Sequence, residues 1–168
     1  MRQGFTLLEL SIVLVIIGLL IGGIFVGQSL IHTAQLNAVV SEFNRYQTAV
    51  QNFKQQYQAL PGDMNNATSF WGIAGGSTGN DTTCMWTTST TPATCNGNND
   101  GVIDTAISGD NYDESLRFWQ HLANAKMIEG FTSYSGPTAN AVIGTNLPAS
   151  KYGNSVGWFV YYGSLLSG

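Results

Sequence analysis

Glu9 is the only carboxylate near the amino end of the chain, and it sits just inside an apolar run that begins at Phe5 and carries no further charge until Glu42. A short basic leader, Met-Arg-Gln-Gly, precedes that run. A helix that spans a bilayer needs about 20 predominantly apolar residues, and a carboxylate within one is costly enough to imply a function. Two kinds of chemistry follow. The Gly4–Phe5 bond, lying before the apolar run rather than after it, is a candidate peptide cleavage site that would leave the helix on the mature protein. An ordinary secretory peptide is cut on the far side of its apolar region. Cleavage there also frees the amine of Phe5, a cation able to neutralise Glu9 of a neighbouring chain and so set the register of one subunit on the next. The simpler reading is a carboxylate that snorkels to the interface.

The block Gly4-Phe5-Thr6-Leu7-Leu8-Glu9-Leu10 resembles, residue for residue, the processing motif of the type IV pilin and pseudopilin family. The resemblance covers the leader and first helix. It implies cleavage between Gly4 and Phe5 by a membrane prepilin peptidase, N-methylation of Phe5, and assembly through Glu9. It also implies as partners an inner-membrane platform protein and copies or relatives of this subunit. The fold it implies is α+β and pilin-like, a long N-terminal helix packed on a small antiparallel sheet head with a second short helix.

Further along, Asn96, Asn98, Asp100 and Asp104 place side-chain oxygens at the first, third, fifth and ninth positions of a loop. Gly101 is sixth, and the Val102 carbonyl is a main-chain donor. This spacing resembles a calcium loop of the EF-hand or dockerin sort, since calcium takes six to eight oxygens and the glycine permits the sharp turn. The first place is Asn rather than Asp and the twelfth is Ile107, so Asp110, Asp113 or Glu114 would have to supply the missing carboxylate. Asn-Gly and Asp-Gly steps are also ordinary turn formers. Cys84 and Cys95, the only cysteines, read as a local disulfide within a long polar loop from Gly72 to Gly101 in an oxidising compartment. His32 and His121 stand without a nucleophile or second ligand in the pattern and are expected to be structural or solvated. No nucleophile elbow, phosphate loop or zinc spacing appears, so an enzyme is not expected.

The elements that position these groups are legible from periodicity. Residues 1–4 are a leader and 5–27 a transmembrane or filament-core helix. Gly18 with Gly22, and Gly23 with Gly27, form small-xxx-small pairs that allow close helix approach. The proline many family members carry at the place of Val26 is absent. Residues 28–60 continue as an amphipathic helix, with Leu36, Val39, Phe43, Tyr46, Val50, Phe53, Tyr57 and Leu60 on one face and Glu42, Arg45 and Lys54 among the residues opposite. Pro61-Gly62 ends it. Residues 61–168 form the head. A second helix is expected over Asp113–Met127 with Gly130 at its end, a strand over Val156–Tyr162, and weaker strands near 131–134 and 141–143.

Composition limits the rest. The chain has 168 residues, only 10% of them charged, and a formal net charge of −4, which speaks against a nucleic-acid footprint. Arg2 places the amino end in the cytoplasm, so the expected location is the bacterial inner membrane before assembly and a periplasmic or extracellular filament after it. A minor pilin or type II secretion pseudopilin is favoured over a major pilin because no cysteine follows Cys95 to close a terminal loop. The contrasting reading is a membrane-anchored extracytoplasmic binding module that never polymerises.

Overall fold

The computed structural model describes residues 4, 6–74, 79, 84, 92–104, 114–129, 141–153 and 155–160. One element dominates. Helix α1 runs unbroken over Leu7–Tyr57, 51 residues, or ~77 Å at 1.5 Å per residue. Its first half has every large apolar side chain in the open, from Leu7 to Ile31. Its second half lies along the head. Gln58 ends it in the left-handed region (φ 55°), its N–H bonded to the Lys54 carbonyl, and Pro61 forbids a further turn.

Two shorter helices complete the described helical structure: α2 over Ala67–Trp71 and α3 over Glu114–Asn124. The α3 helix is shorter than the expected Asp113–Met127. Lys126, at φ 59°, turns the chain at its end, with the Lys126 N–H on the Ala123 carbonyl and the Met127 N–H on that of Leu122. Gly130 lies outside the described residues.

The core forms where α1, α3 and the intervening loops meet. Tyr46, Ala49 and Phe53 of α1 pack with Met64, Ala67, Leu116, Trp119 and Leu122. Of the apolar stripe read from sequence, the part from Tyr46 onward is the packed part; Leu36 and Phe43 remain exposed. Glu42, assigned by periodicity to the polar face, is buried instead. Its Oε2 accepts from the Ser150 hydroxyl (3.2 Å), the Lys151 N–H (3.0 Å) and the Trp158 indole (3.3 Å). One carboxylate on α1 thus ties down the loop near the carboxyl end.

The antiparallel sheet expected of the head is not found among the described residues, which hold only isolated bridges: Ile73 with Thr94, Ile143 with Leu147, and Ala149 with Gly157. The reason is local for 141–150. Val142 gives its carbonyl to the N–H groups of Thr145, Asn146 and Leu147, while the Asn146 side chain accepts the Val142 N–H at 2.6 Å. The chain curls back on itself, and Pro148 has no donor with which to extend a ladder. Over 156–160 the backbone bonds join Val156 to Gly153 and Ser150, and the Trp158 N–H to the Pro148 carbonyl. The expected strand near 131–134 and residues 161–162 lie outside the described residues.

Candidate functional site

The processing segment sits at the free end of α1. Gly4 is exposed, and a Cβ built on it would meet nothing within 4 Å. Thr6 caps the helix. Its hydroxyl oxygen accepts the Glu9 N–H (3.3 Å), while Glu9 Oε2 accepts both the Thr6 N–H (2.8 Å) and the Thr6 hydroxyl (2.9 Å). This reciprocal capping box satisfies donors that a helix start otherwise leaves unpaired. Both bonds fall on Oε2, and among the described residues none takes Oε1. The sequence signal for this cap is Thr6-Leu7-Leu8-Glu9, a T-x-x-E pattern. Phe5, the expected partner of Glu9 on another chain, lies outside the described residues.

Behind Glu9 the helix offers bare apolar surface. Added Cβ atoms at Gly18, Gly22, Gly23 and Gly27 would meet nothing within 4 Å, so both glycine pairs face open space in the single chain. Such faces let a second helix approach closely.

The acidic loop is built differently from a finished cation site. Asn98 Oδ1 accepts the Asp100 N–H (3.0 Å), which fixes the amide so that Nδ2 points to Asp100 Oδ2 (3.0 Å) and Asp104 Oδ2 (3.2 Å). The amide occupies the place a cation would take between those carboxylates. Asn96, the expected first ligand, points elsewhere: its Oδ1 accepts the Thr68 N–H at 2.8 Å near the start of α2. Glu114, one of the three acids considered to complete the set, does come to the loop. It accepts the Asn98 N–H (3.0 Å) and the Asp104 N–H (3.2 Å). Asp63 takes the Asp100 and Gly101 N–H groups at 3.1 and 3.0 Å. Among the described residues no three acidic, His or Cys side chains are arranged to hold a metal. Asn98, Asp100, Asp104 and Glu114 therefore converge, and Asn96 does not. Burial pushes Glu114 up to about 7, with Asp63 and Asp104 adding to the rise, and burial raises Asp63 as well. Asp110 and Asp113 lie outside the described residues.

Cys84 and Cys95 form the disulfide expected of them, with Cα atoms 5.7 Å apart. It anchors a buried polar network that the sequence did not announce. The Cys84 carbonyl accepts from Arg117 Nη2 (3.1 Å), and Arg117 Nη1 donates to Gln120 Oε1 (2.7 Å). The Thr94 hydroxyl donates to the same Gln120 oxygen (2.7 Å). His121, fully buried, accepts the Gly62 N–H at Nδ1 (2.9 Å). Its proton is therefore on Nε2, facing Thr94 Oγ1 (3.0 Å) and the Cys95 carbonyl (3.3 Å). Burial first, and Arg117 second, hold His121 down at about 3. His121 is thus a structural histidine, stacked on Phe53 at 6.4 Å. His32 is exposed, its ring 6.1 Å from that of Tyr152.

Residues 1–25 match the family model described as the prokaryotic N-terminal methylation motif. That motif is the prepilin-cleavage signature of type IV pilins and pseudopilins. The match ends within the apolar half of α1, and the head lies beyond it. No curated protein and no solved structure matches the chain.

Proposed function

We propose that this chain is a structural subunit of a type IV filament, serving as a minor pilin or a type II secretion pseudopilin. A prepilin peptidase cuts it between Gly4 and Phe5, Phe5 is N-methylated, and α1 leaves the inner membrane to join a helical core. One observation carries the reading: the methylation motif of residues 1–25 runs without a break into a helix whose Leu7–Ile31 side chains are all uncovered. In lipid those side chains need no cover, and in a filament they cover one another. Glu9 keeps one oxygen for its own Thr6 and offers Oε1 to the Phe5 amine of a neighbour, which discharges two groups that are each costly in an apolar surrounding. An inner-membrane platform protein and other pilin-type subunits are the partners of this step.

The test is the mature amino terminus together with Glu9→Ala. Mass spectrometry should find methylated Phe5 at the start, and the variant should be cleaved and inserted normally but excluded from filaments. Normal incorporation of the variant refutes the role given to Glu9, and a wild-type chain that is cleaved and inserted but never enters filaments supports a tethered, non-polymerising module instead. A mature chain beginning elsewhere refutes the subunit reading. For the acidic loop, we infer that calcium would have to displace the Asn98 amide from between Asp100 and Asp104 and draw on Glu114. A melting temperature that falls on chelation supports this, and one that does not move refutes it.

A further inference from the structure

A turn at 150–153 reaches from the head back toward the apolar half of α1. Two bonds mount it on Glu42, one from the Ser150 hydroxyl (3.2 Å) and one from the Lys151 N–H (3.0 Å). Ser150 also braces the turn from within: its Oγ accepts the Tyr152 N–H (3.2 Å) and its carbonyl accepts the Gly153 N–H (3.3 Å). From this mount Tyr152 extends to His32, the two rings edge-on with centroids 6.1 Å apart. His32 lies ~15 Å nearer the amino end of the helix than Glu42, at 1.5 Å per residue. The head thus touches α1 at the residue that follows Ile31, the last of the uncovered apolar side chains of its first half.

That position has a meaning in a bilayer. Leu7 to Ile31 measures ~38 Å along the axis. The hydrocarbon of a bilayer is about 30 Å thick, and the whole bilayer about 40–45 Å with its headgroups. With the Thr6–Glu9 cap at one face of the membrane, His32 and Tyr152 therefore stand among the headgroups of the other. The side chains there suit that layer. Tyr152, 42% exposed, carries an amphipathic ring of the kind concentrated at membrane interfaces. Lys151 and His32 are both exposed. Glu42 is the one acid in the sequence from His32 to Phe43 and in the turn, and it is buried with three donors on it. The charge this surface shows is the Lys151 ammonium, on a chain whose formal net charge is −4.

We propose that the 150–153 turn, together with His32, is a foot that seats the head on the anionic phospholipid headgroups of the membrane that α1 spans. The proposal rests on the reading of Leu7–Ile31 as a membrane anchor before assembly. Lys151 meets lipid phosphate, as basic groups beside a membrane segment do, and Tyr152 enters the boundary between headgroup and chain. Interfacial Tyr and Lys anchors govern the tilt of a membrane helix, so the foot fixes the tilt and depth of α1. It is given up when the helix is drawn into a filament.

The experiment places the full chain in vesicles of phosphatidylethanolamine and phosphatidylglycerol that carry a nitroxide quencher on the headgroup. Both native cysteines are held in the disulfide, so a fluorophore can be attached to Ser155→Cys beside the turn. The reference site is Gln56→Cys, ~36 Å farther along α1 than His32; both positions are exposed. The Ser155 probe should be quenched and the Gln56 probe should not. Lys151→Glu and Tyr152→Ser, each in the Ser155→Cys chain, should reduce the quenching about twofold or more with an unchanged urea midpoint. Replacing phosphatidylglycerol by phosphatidylcholine should do the same, and this arm needs no substitution in the turn, so it decides the matter if Tyr152→Ser disturbs the fold. Quenching at Ser155 no stronger than at Gln56 overturns the foot. So does quenching indifferent to both substitutions and to lipid charge, which tethering near the surface alone would give. Ser155→Cys chains that form disulfide-linked dimers instead of being quenched assign the turn to a second copy and overturn it too. All three outcomes leave the subunit reading standing, whereas a wild-type chain that does not float with the vesicles, or is never cleaved at Phe5, overturns that reading itself.

Discussion

The buried imidazole of His121 makes the head acid-labile in a way that can be worked out from its bonds. Nδ1 accepts the Gly62 N–H at 2.9 Å, and a second proton there would set donor against donor inside the core. The unfolded chain takes that proton near 6.5, but the folded chain takes it only near 3. Between those values the unfolded state binds more protons, so stability falls as pH falls, by about 1.4 kcal/mol per pH unit. Glu114 acts in the opposite sense. Its folded value of about 7 lies above the ordinary 4.5, so the folded state holds the extra proton and stability falls as pH rises across that window. From about pH 4.5 to 6.5 the two sites nearly cancel, and the wild-type head should be flat with pH, then lose stability below 4.5 as His121 acts alone. His121→Gln removes one side of this balance, since its amide can accept from Gly62 and donate toward Thr94 without titrating. The measurement is urea unfolding of the detergent-solubilised full chain, followed by tryptophan fluorescence. The stability of wild type minus that of the variant should drop by about 2 kcal/mol between pH 7 and pH 5. A difference that does not change with pH, or that grows toward acid, would refute the reasoning.

Three other perturbations have a direction set by contacts in the head. Gly62 sits at φ +89°, and a Cβ added to it would lie 2.6 Å from the Glu114 carbonyl oxygen. Gly62→Ala should therefore cost about 3 kcal/mol or more and lower the melting temperature by roughly 10 °C or more; a shift of only a degree or two would show that the turn can relax. Replacing Cys84 and Cys95 by serine opens the loop and frees the carbonyl that Arg117 Nη2 uses. A loss of about 3 kcal/mol is expected, and a urea midpoint that ignores a reducing agent in the wild type would contradict it. Glu42→Gln keeps the shape but removes the charge that collects three donors. It should cost about 1–2 kcal/mol with a shift in Trp158 emission, whereas an unchanged spectrum would mean that the 150–158 loop is held by other contacts.

What could be read in advance divides by the reach of each interaction. Thr6 with Glu9, and Asn98 with Asp100 and Val102, close over two or three residues, and their patterns stand in the sequence for anyone who looks for side-chain caps and turns. The long helix is equally local, because length and apolar content dictate it. Glu42 and His121 are the opposite case. On a helical wheel Glu42 falls on the face opposite the apolar stripe and His121 beside the apolar face of its helix, with nothing to mark either as tied into the core. Their partners lie 108 residues away for Ser150 and 59 for Gly62, and no periodicity encodes those distances. The same limit explains the sheet. Alternation at 156–160 satisfies a strand pattern, but a strand needs a partner able to donate along its length, and among the described residues the segment beside it contains Pro148 and curls through Val142–Leu147. Trp158 then does the work that pairing would have done, spending its indole N–H on Glu42 (3.3 Å) and its ring on Tyr46 (5.6 Å). A single aromatic thus fastens the carboxyl-end segment to α1, so loosening Glu42 should free that segment before it unfolds the head.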